Sequence, residues 1–248
     1  FRIIPTKIMT IEQLGLPPQL DKMAAIHNGL VIVTGPTGSG KSTTLAAIID
    51  LLNETTGYHI ITIEDPIEFL HPNKKCLIHQ REIGSHAPSF AEALRAAGRE
   101  DPDVILVGEL RDLETISMAL SAAERGTIVF ATLHTNNAIK TVDRIVSVFP
   151  AGEQEGARNV LAESLKGVVA QQLLPKIDGG RVAAVEIVFA SGAISNLIRR
   201  GKVAQITSLI QGGVKQGMVD MDTFSKIDIN QSSVRKTHIL NSWWHISI

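Results

Sequence analysis

The sequence predicts an α/β protein with a mostly parallel sheet covered by helices on both faces, plus a small C-terminal helical part. Three observations carry that expectation. Short apolar runs alternate with amphipathic stretches along most of the chain. The runs are continuous rather than alternating, as in strands buried on both faces. Their ends lead into glycine, acidic or histidine residues, and ligands bind parallel sheets beyond those carboxyl ends.

The elements follow in order. Leu30–Thr34 is a buried strand ending in a glycine loop, and Ser42–Asn53 is the helix after it. His59–Ile63 is a β-branched strand, Phe90–Arg99 a helix and Asp103–Val107 a third strand. Leu113–Glu124 places Ile116, Ala119, Leu120 and Ala123 on one helix face. Thr127–Thr132 is the fourth strand. Asn137–Val148 and Glu153–Leu174 read as helices, and Arg181–Ala190 as a strand after the turn Asp178-Gly179-Gly180. Ala193–Arg200 and Val203–Gly212 read as short helices. The strand ends present Gly35, Glu64-Asp65, Gly108-Glu109 and Leu133-His134-Thr135.

Composition narrows the function. The 248 residues hold 24 Lys and Arg against 25 Asp and Glu, a net charge of −1. That balance argues against a nucleic-acid partner or an anionic lipid surface, and aromatics at 4% leave little for stacking bases. The single cysteine, Cys76, excludes a disulfide framework and a cysteine-built zinc site, and reads as inert. It fits a reducing, cytoplasmic compartment. No apolar stretch is long enough for a membrane span. The chain opens on Phe1 without a signal-peptide pattern and reads as starting inside a longer protein. The expected organisation is a linker over residues 1–28, a core over 29–190, a helical subdomain over 191–230 and a divergent or disordered tail over 231–248.

Gly35-Pro36-Thr37-Gly38-Ser39-Gly40-Lys41-Ser42 matches the phosphate-binding loop G-x-x-x-x-G-K-[ST] in full, between a strand and a helix. Glycines let backbone N–H groups turn inward on phosphate oxygens. The helix N-terminus, continuing through Thr43, adds positive partial charge. Lys41 neutralises the β- and γ-phosphates, and Ser42 offers its hydroxyl to Mg²⁺. The chain has no Asn/Thr-Lys-x-Asp guanine-reading motif, so ATP is the expected nucleotide.

Hydrolysis needs a carboxylate near the γ-phosphate, and Glu109 after the third strand can supply it. Glu64, Asp65 and Glu68 form an acidic cluster on the same edge. It either holds Mg²⁺ through intervening water or is a solvated acidic loop. His134 either senses the γ-phosphate, bonds a catalytic carboxylate or is structural. Arg99 and Arg111 read as ion-pair partners rather than phosphate ligands.

On these residues the chain resembles the type II/type IV secretion ATPase family, and within it the pilus-retraction branch. GPTGSGKSTT at Gly35–Thr44, ITIEDPIEF at Ile61–Phe69 and HQREIG at His79–Gly84 carry the likeness. So do REDPDVILVGELRD at Arg99–Asp112, ATLHTN at Ala131–Asn136 and AISNLIRRGKVAQI at Ala193–Ile206. It covers about Phe1–Asp222. The resemblance implies a RecA-like P-loop NTPase, with Glu109 as the Walker-B glutamate, Glu64, Asp65, Glu68 and His134 in the family's acidic and histidine boxes, and Glu68 and His134 expected to be catalytic beside Glu109. It implies a cytoplasmic homohexamer, peripheral at the inner membrane, that hydrolyses ATP to retract a type IV pilus. The implied partners are an inner-membrane platform protein and a paralogous pilus ATPase. It also implies a PAS-like N-terminal domain whose end lies in residues 1–28, with Arg2 among its nucleotide contacts. Gly98, Thr127, Ser195 and Arg200 depart from the family's Leu, His, Arg and Glu. Two relatives remain as alternatives, a weakly hydrolysing accessory subunit and a type II secretion or pilus-assembly ATPase. The latter commonly carries a four-cysteine module that one cysteine cannot build.

Overall fold

The computed structural model describes residues 4–5, 7–176 and 179–221. Arg2, Asp178, residues 222–230 and the tail over 231–248 lie outside the described residues. The elements run α1 (Asp21–Ala24), β1 (Gly29–Thr34), α2 (Lys41–Thr55), β2 (His59–Glu64), β3 (Leu77–Glu82), α3 (Phe90–Ala97), β4 (Val104–Val107) and α4 (Leu113–Glu124). They continue with β5 (Ile128–Leu133), α5 (Ala138–Ser147), α6 (Gln154–Ser164), β6 (Leu165–Pro175), β7 (Arg181–Phe189), α7 (Gly192–Arg199) and α8 (Ile206–Gly212).

The strands form one seven-stranded sheet in the order β3-β2-β4-β5-β1-β6-β7. All neighbours are parallel except β6 and β7, which form an antiparallel hairpin. Residue 64, the last of β2, and residues 35, 108 and 134, which follow β1, β4 and β5, therefore lie along one edge.

Two strands depart from the sequence reading. Glu153–Leu174, read as one helix, divides into α6 and β6 at Ser164/Leu165. Periodicity fails there because β6 is buried on both faces, which leaves no polar alternation to separate it from a buried helix. The stretch Leu77–Glu82 carries His, Gln, Arg and Glu, yet it pairs in register with β2 from His59↔Leu77 to Glu64↔Glu82. It is an edge strand, and a polar, charged face is the usual protection of such an edge.

Apolar layers cover both sheet faces. On one, Leu45, Ile48, Ile49 and Leu52 of α2 pack over Val31, Val33, Leu106 and Phe130, joined by Leu16, Leu20 and Met23 of the N-terminal segment. On the other, Leu94, Ile116, Leu120, Ile145 and Leu161 of α3–α6 cover Ile32, Ile61, Ile105 and Val129. Ile194 and Ile198 of α7 and Ile206 and Ile210 of α8 extend that second layer, so these helices share the core of the sheet.

Local capping fixes where the helices start. Ser89, Asp112, Asn137 and Ser191 each accept a hydrogen bond from the N–H three residues on. Asp112 Oδ1 takes the Thr115 N–H at 2.8 Å, and its Oδ2 takes the Thr115 hydroxyl at 3.1 Å. Asp112→Ala removes both bonds and is expected to cost about 1 kcal/mol, read as a lower denaturation midpoint at unchanged slope.

Candidate active site

The loop leaving β1 is shaped by three glycines in the left-handed region, Gly35 (φ +145°), Gly38 (φ +77°) and Gly40 (φ +88°). Gly40 occupies the N-cap of α2 and has no side chain with which to cap it. The loop thus presents the start of a helix of fifteen residues to whatever the loop encloses.

Lys41 turns back into this loop. Its ammonium donates to the Gly35 carbonyl at 2.9 Å and the Pro36 carbonyl at 3.1 Å, and lies 3.4 Å from His134 Nδ1. Burial lowers its pKa, while the charges of Glu109 and Glu68 act in the opposite sense. A lysine has only donors to offer, so Nδ1 of His134 is the acceptor. The proton of the neutral ring then sits on Nε2, which faces Glu109 Oε1 at 3.2 Å. The other Glu109 oxygen accepts from Arg111 Nε at 2.8 Å, and Arg111 Nη1 lies 3.7 Å from Asp65 Oδ2. One polar chain therefore runs Lys41–His134–Glu109–Arg111–Asp65. It joins the phosphate loop to the ends of β5, β4 and β2.

Glu64 stands behind this chain. Oε1 accepts from the Thr62 hydroxyl at 2.6 Å and from Gln80 Nε2 at 3.2 Å, and Oε2 from the Glu68 N–H at 3.4 Å. Burial is the leading cause of a pKa raised above the ordinary carboxylate range, against the lowering effect of these bonds. The folded protein therefore holds this proton more tightly than the unfolded chain. Stability falls as pH rises from the ordinary carboxylate value through the raised one. Glu64→Gln keeps the acceptor for Thr62 and Gln80 and loses the charge. Its melting temperature should gain on wild type as pH rises through that window; parallel curves would reject burial as the dominant cause.

A cleft of about 520 Å³ lies over these groups, lined by Thr37, Lys41, Ser42, Glu64, Asp65, Glu68, Glu109 and His134 among others. Thr43, Gly38 and Gly40 line it as well. Gly35 and the buried Ser39 form the loop beneath, and Pro36 supplies a carbonyl to Lys41. Among the described residues, those singled out in the sequence as phosphate, metal or catalytic candidates thus meet at one place. Of the two arginines read as ion-pair partners, Arg111 has that role. Cys76 is buried, its Sγ against the Leu52 and Thr56 carbonyls at 3.4 Å.

Sequence reasoning missed three contributors. Arg181, at the start of β7, lines the cleft. Glu186 of β7 accepts from Ala138 N–H at 2.8 Å and so holds the start of α5 behind the His134 loop. Gln171 of β6 contacts the phosphate loop directly. All three lie on the β6–β7 hairpin, half of which was read as helix. Gly167, unfavourable in a helix interior, was the available signal.

The fold is that of a P-loop NTPase. The chain belongs to the type II/IV secretion system protein family, whose model matches residues 2–212. It is 58% identical over 222 residues to the type IV pilus retraction ATPase PilT of Pseudomonas aeruginosa, covering 90% of this chain and 64% of that one. It is 59% identical over 223 residues to a twitching motility protein of Neisseria gonorrhoeae, covering 90% and 60%. A crystal structure of the pilus retraction motor PilT with bound ADP matches with a TM-score of 0.82 at 51% identity, covering 91% of this chain and 68% of that one. The chain therefore spans 64% and 60% of the two curated relatives.

Proposed function

We propose that this chain carries the ATP-hydrolysing part of a hexameric motor that retracts type IV pili, the basis of twitching motility. The observation that carries the reading is the Lys41–His134–Glu109 chain. A phosphate-anchoring cation and a water-orienting carboxylate flank one imidazole, which lies 3.4 Å from the first and 3.2 Å from the second. The names of the similar proteins support the direction of the motor and its substrate.

The residues fit a magnesium nucleotide. The loop glycines make a cradle, and the side chains of Ser42, Glu64, Asp65 and Glu68 share the cleft with Lys41. When bound, Mg²⁺ supplies charge neutralisation on the β- and γ-phosphate oxygens. Lys41 exchanges the Gly35 and Pro36 carbonyls for phosphate oxygens, which costs little because both are charge-assisted hydrogen bonds. Glu109 orients the attacking water and accepts its proton. His134, whose Nε2 lies 3.2 Å from Glu109 Oε1, limits where that carboxylate can point. Each turnover then moves one subunit against the next, and an inner-membrane platform protein passes the motion to the pilus.

Mg²⁺-dependent phosphate release from ATP, measured against protein concentration, tests this reading. Activity should rise faster than linearly, because shared sites form only on assembly. ATP binding without release at any concentration would replace the motor with an accessory, non-hydrolysing subunit.

A further inference from the structure

We infer that Gln171 is a positioning residue that holds the phosphate loop in its binding shape from the neighbouring strand, independently of Lys41. The inference rests on the site being a nucleotide site, as proposed above. Gln171 is buried, at 3% exposure, in the middle of β6. The register Thr34↔Ala170 puts it level with the point where β1 breaks into the loop. Its side-chain amide is used at both ends. Nε2 donates to the Ser39 carbonyl at 2.7 Å, and Oε1 accepts from the Thr44 hydroxyl at 2.7 Å. One side chain thus ties the last turn of the loop to the first turn of α2.

Two loop glycines also lie close to Gln171, Gly35 to its backbone and Gly40 to its side-chain amide. A Cβ on Gly35 would lie 2.1 Å from the Gln171 carbonyl oxygen, and one on Gly40 would lie 2.8 Å from Gln171 Nε2. Two of the motif's glycines are therefore required by the approach of this residue as well as by their backbone angles. Lys41 also braces the loop, through the Gly35 and Pro36 carbonyls, but it must release them to reach a phosphate. Gln171 has no such second task. Its bonds to Ser39 and Thr44 persist through binding and keep the loop N–H groups converged while Lys41 changes partners. It touches neither Glu109 nor His134, so its effect falls on binding rather than on water attack.

The test is Gln171→Met in the full chain, a change of similar volume that removes both bonds. The Kd for MgADP and the KM for MgATP should rise about tenfold or more, since two buried polar groups lose their partners. kcat should stay within about threefold. Thr44→Val removes one of the two bonds and should give a smaller rise. In the double variant the Thr44 change should add little, because its partner is already gone. Hydrogen exchange without nucleotide gives a second readout. Amides of residues 38–44 should exchange faster in Gln171→Met while those of β4 and β5 stay as in wild type. A lower melting temperature with unchanged Kd and KM and uniformly faster exchange would overturn the inference, leaving Gln171 as ordinary core. If Gln171→Met fails to fold, Thr44→Val decides by the same readouts. Should wild type itself bind no MgADP, the nucleotide reading falls, and the exchange pattern alone still judges Gln171.

Discussion

Glu109→Gln is expected to keep MgATP binding and to lower turnover by about two to four orders of magnitude. The amide preserves the shape of the carboxylate and one oxygen for Arg111 or His134, so the chain from Lys41 to Asp65 need not collapse. What it loses is the charge that we propose orients water and takes its proton. Glu109 is suited to that role by its surroundings: half-buried, hydrogen-bonded on one oxygen by Arg111 Nε at 2.8 Å, with His134 Nε2 3.2 Å from the other. Single-turnover phosphate release alongside MgATP affinity separates the two effects. Turnover near wild type would remove Glu109 from the catalytic step. Loss of affinity equal to the loss of turnover would make it a binding residue instead.

Gly35→Ala should unfold the site rather than slow it. At φ +145° an L side chain is strained, and here its Cβ would meet the Gln171 carbonyl oxygen at 2.1 Å and Ser39 Oγ at 2.7 Å. The Gln171 oxygen belongs to a strand paired with both β1 and β7, so it cannot step aside cheaply. Strain and overpacking together should cost roughly 3 kcal/mol or more, with MgATP binding lost. Gly38→Ala is the matched control. Its φ of +77° is also left-handed, yet a Cβ there meets no atom within 4 Å. It should cost only the backbone strain, about 1 kcal/mol or slightly more. Denaturant midpoints of the two variants measure the difference. Equal midpoints would show that the loop moves freely away from β6.

Much of the candidate site was readable because its residues obey local rules. The glycine pattern of the phosphate loop follows from backbone angles that only glycine adopts freely. Lys41 and Ser42 follow from the chemistry of phosphate and Mg²⁺. Glu64, Asp65, Glu109 and His134 were found by one topological fact: parallel strands deliver their carboxyl ends to the same edge. Helix starts such as Asp112–Thr115 were equally local, since a cap and its N–H lie three residues apart.

Other features depended on distance in the chain. The β6 strand has no alternating pattern, because it is covered on both faces, and only its pairing with β1 and β7 makes it a strand. Ser39 and Thr44 meet Gln171 across 132 and 127 residues of sequence, a contact that no spacing rule anticipates. The position of His134 depends on distance in the same way. Its ring lies between Lys41 and Glu109 because β5 sits between β1 and β4 in the sheet. The sequence by itself determined which residues form the candidate site, because the loop motif and the strand ends are written in adjacent residues. The tertiary structure decided which side chains hold that chemistry in place, because hydrogen bonds between distant strands depend on strand order and register.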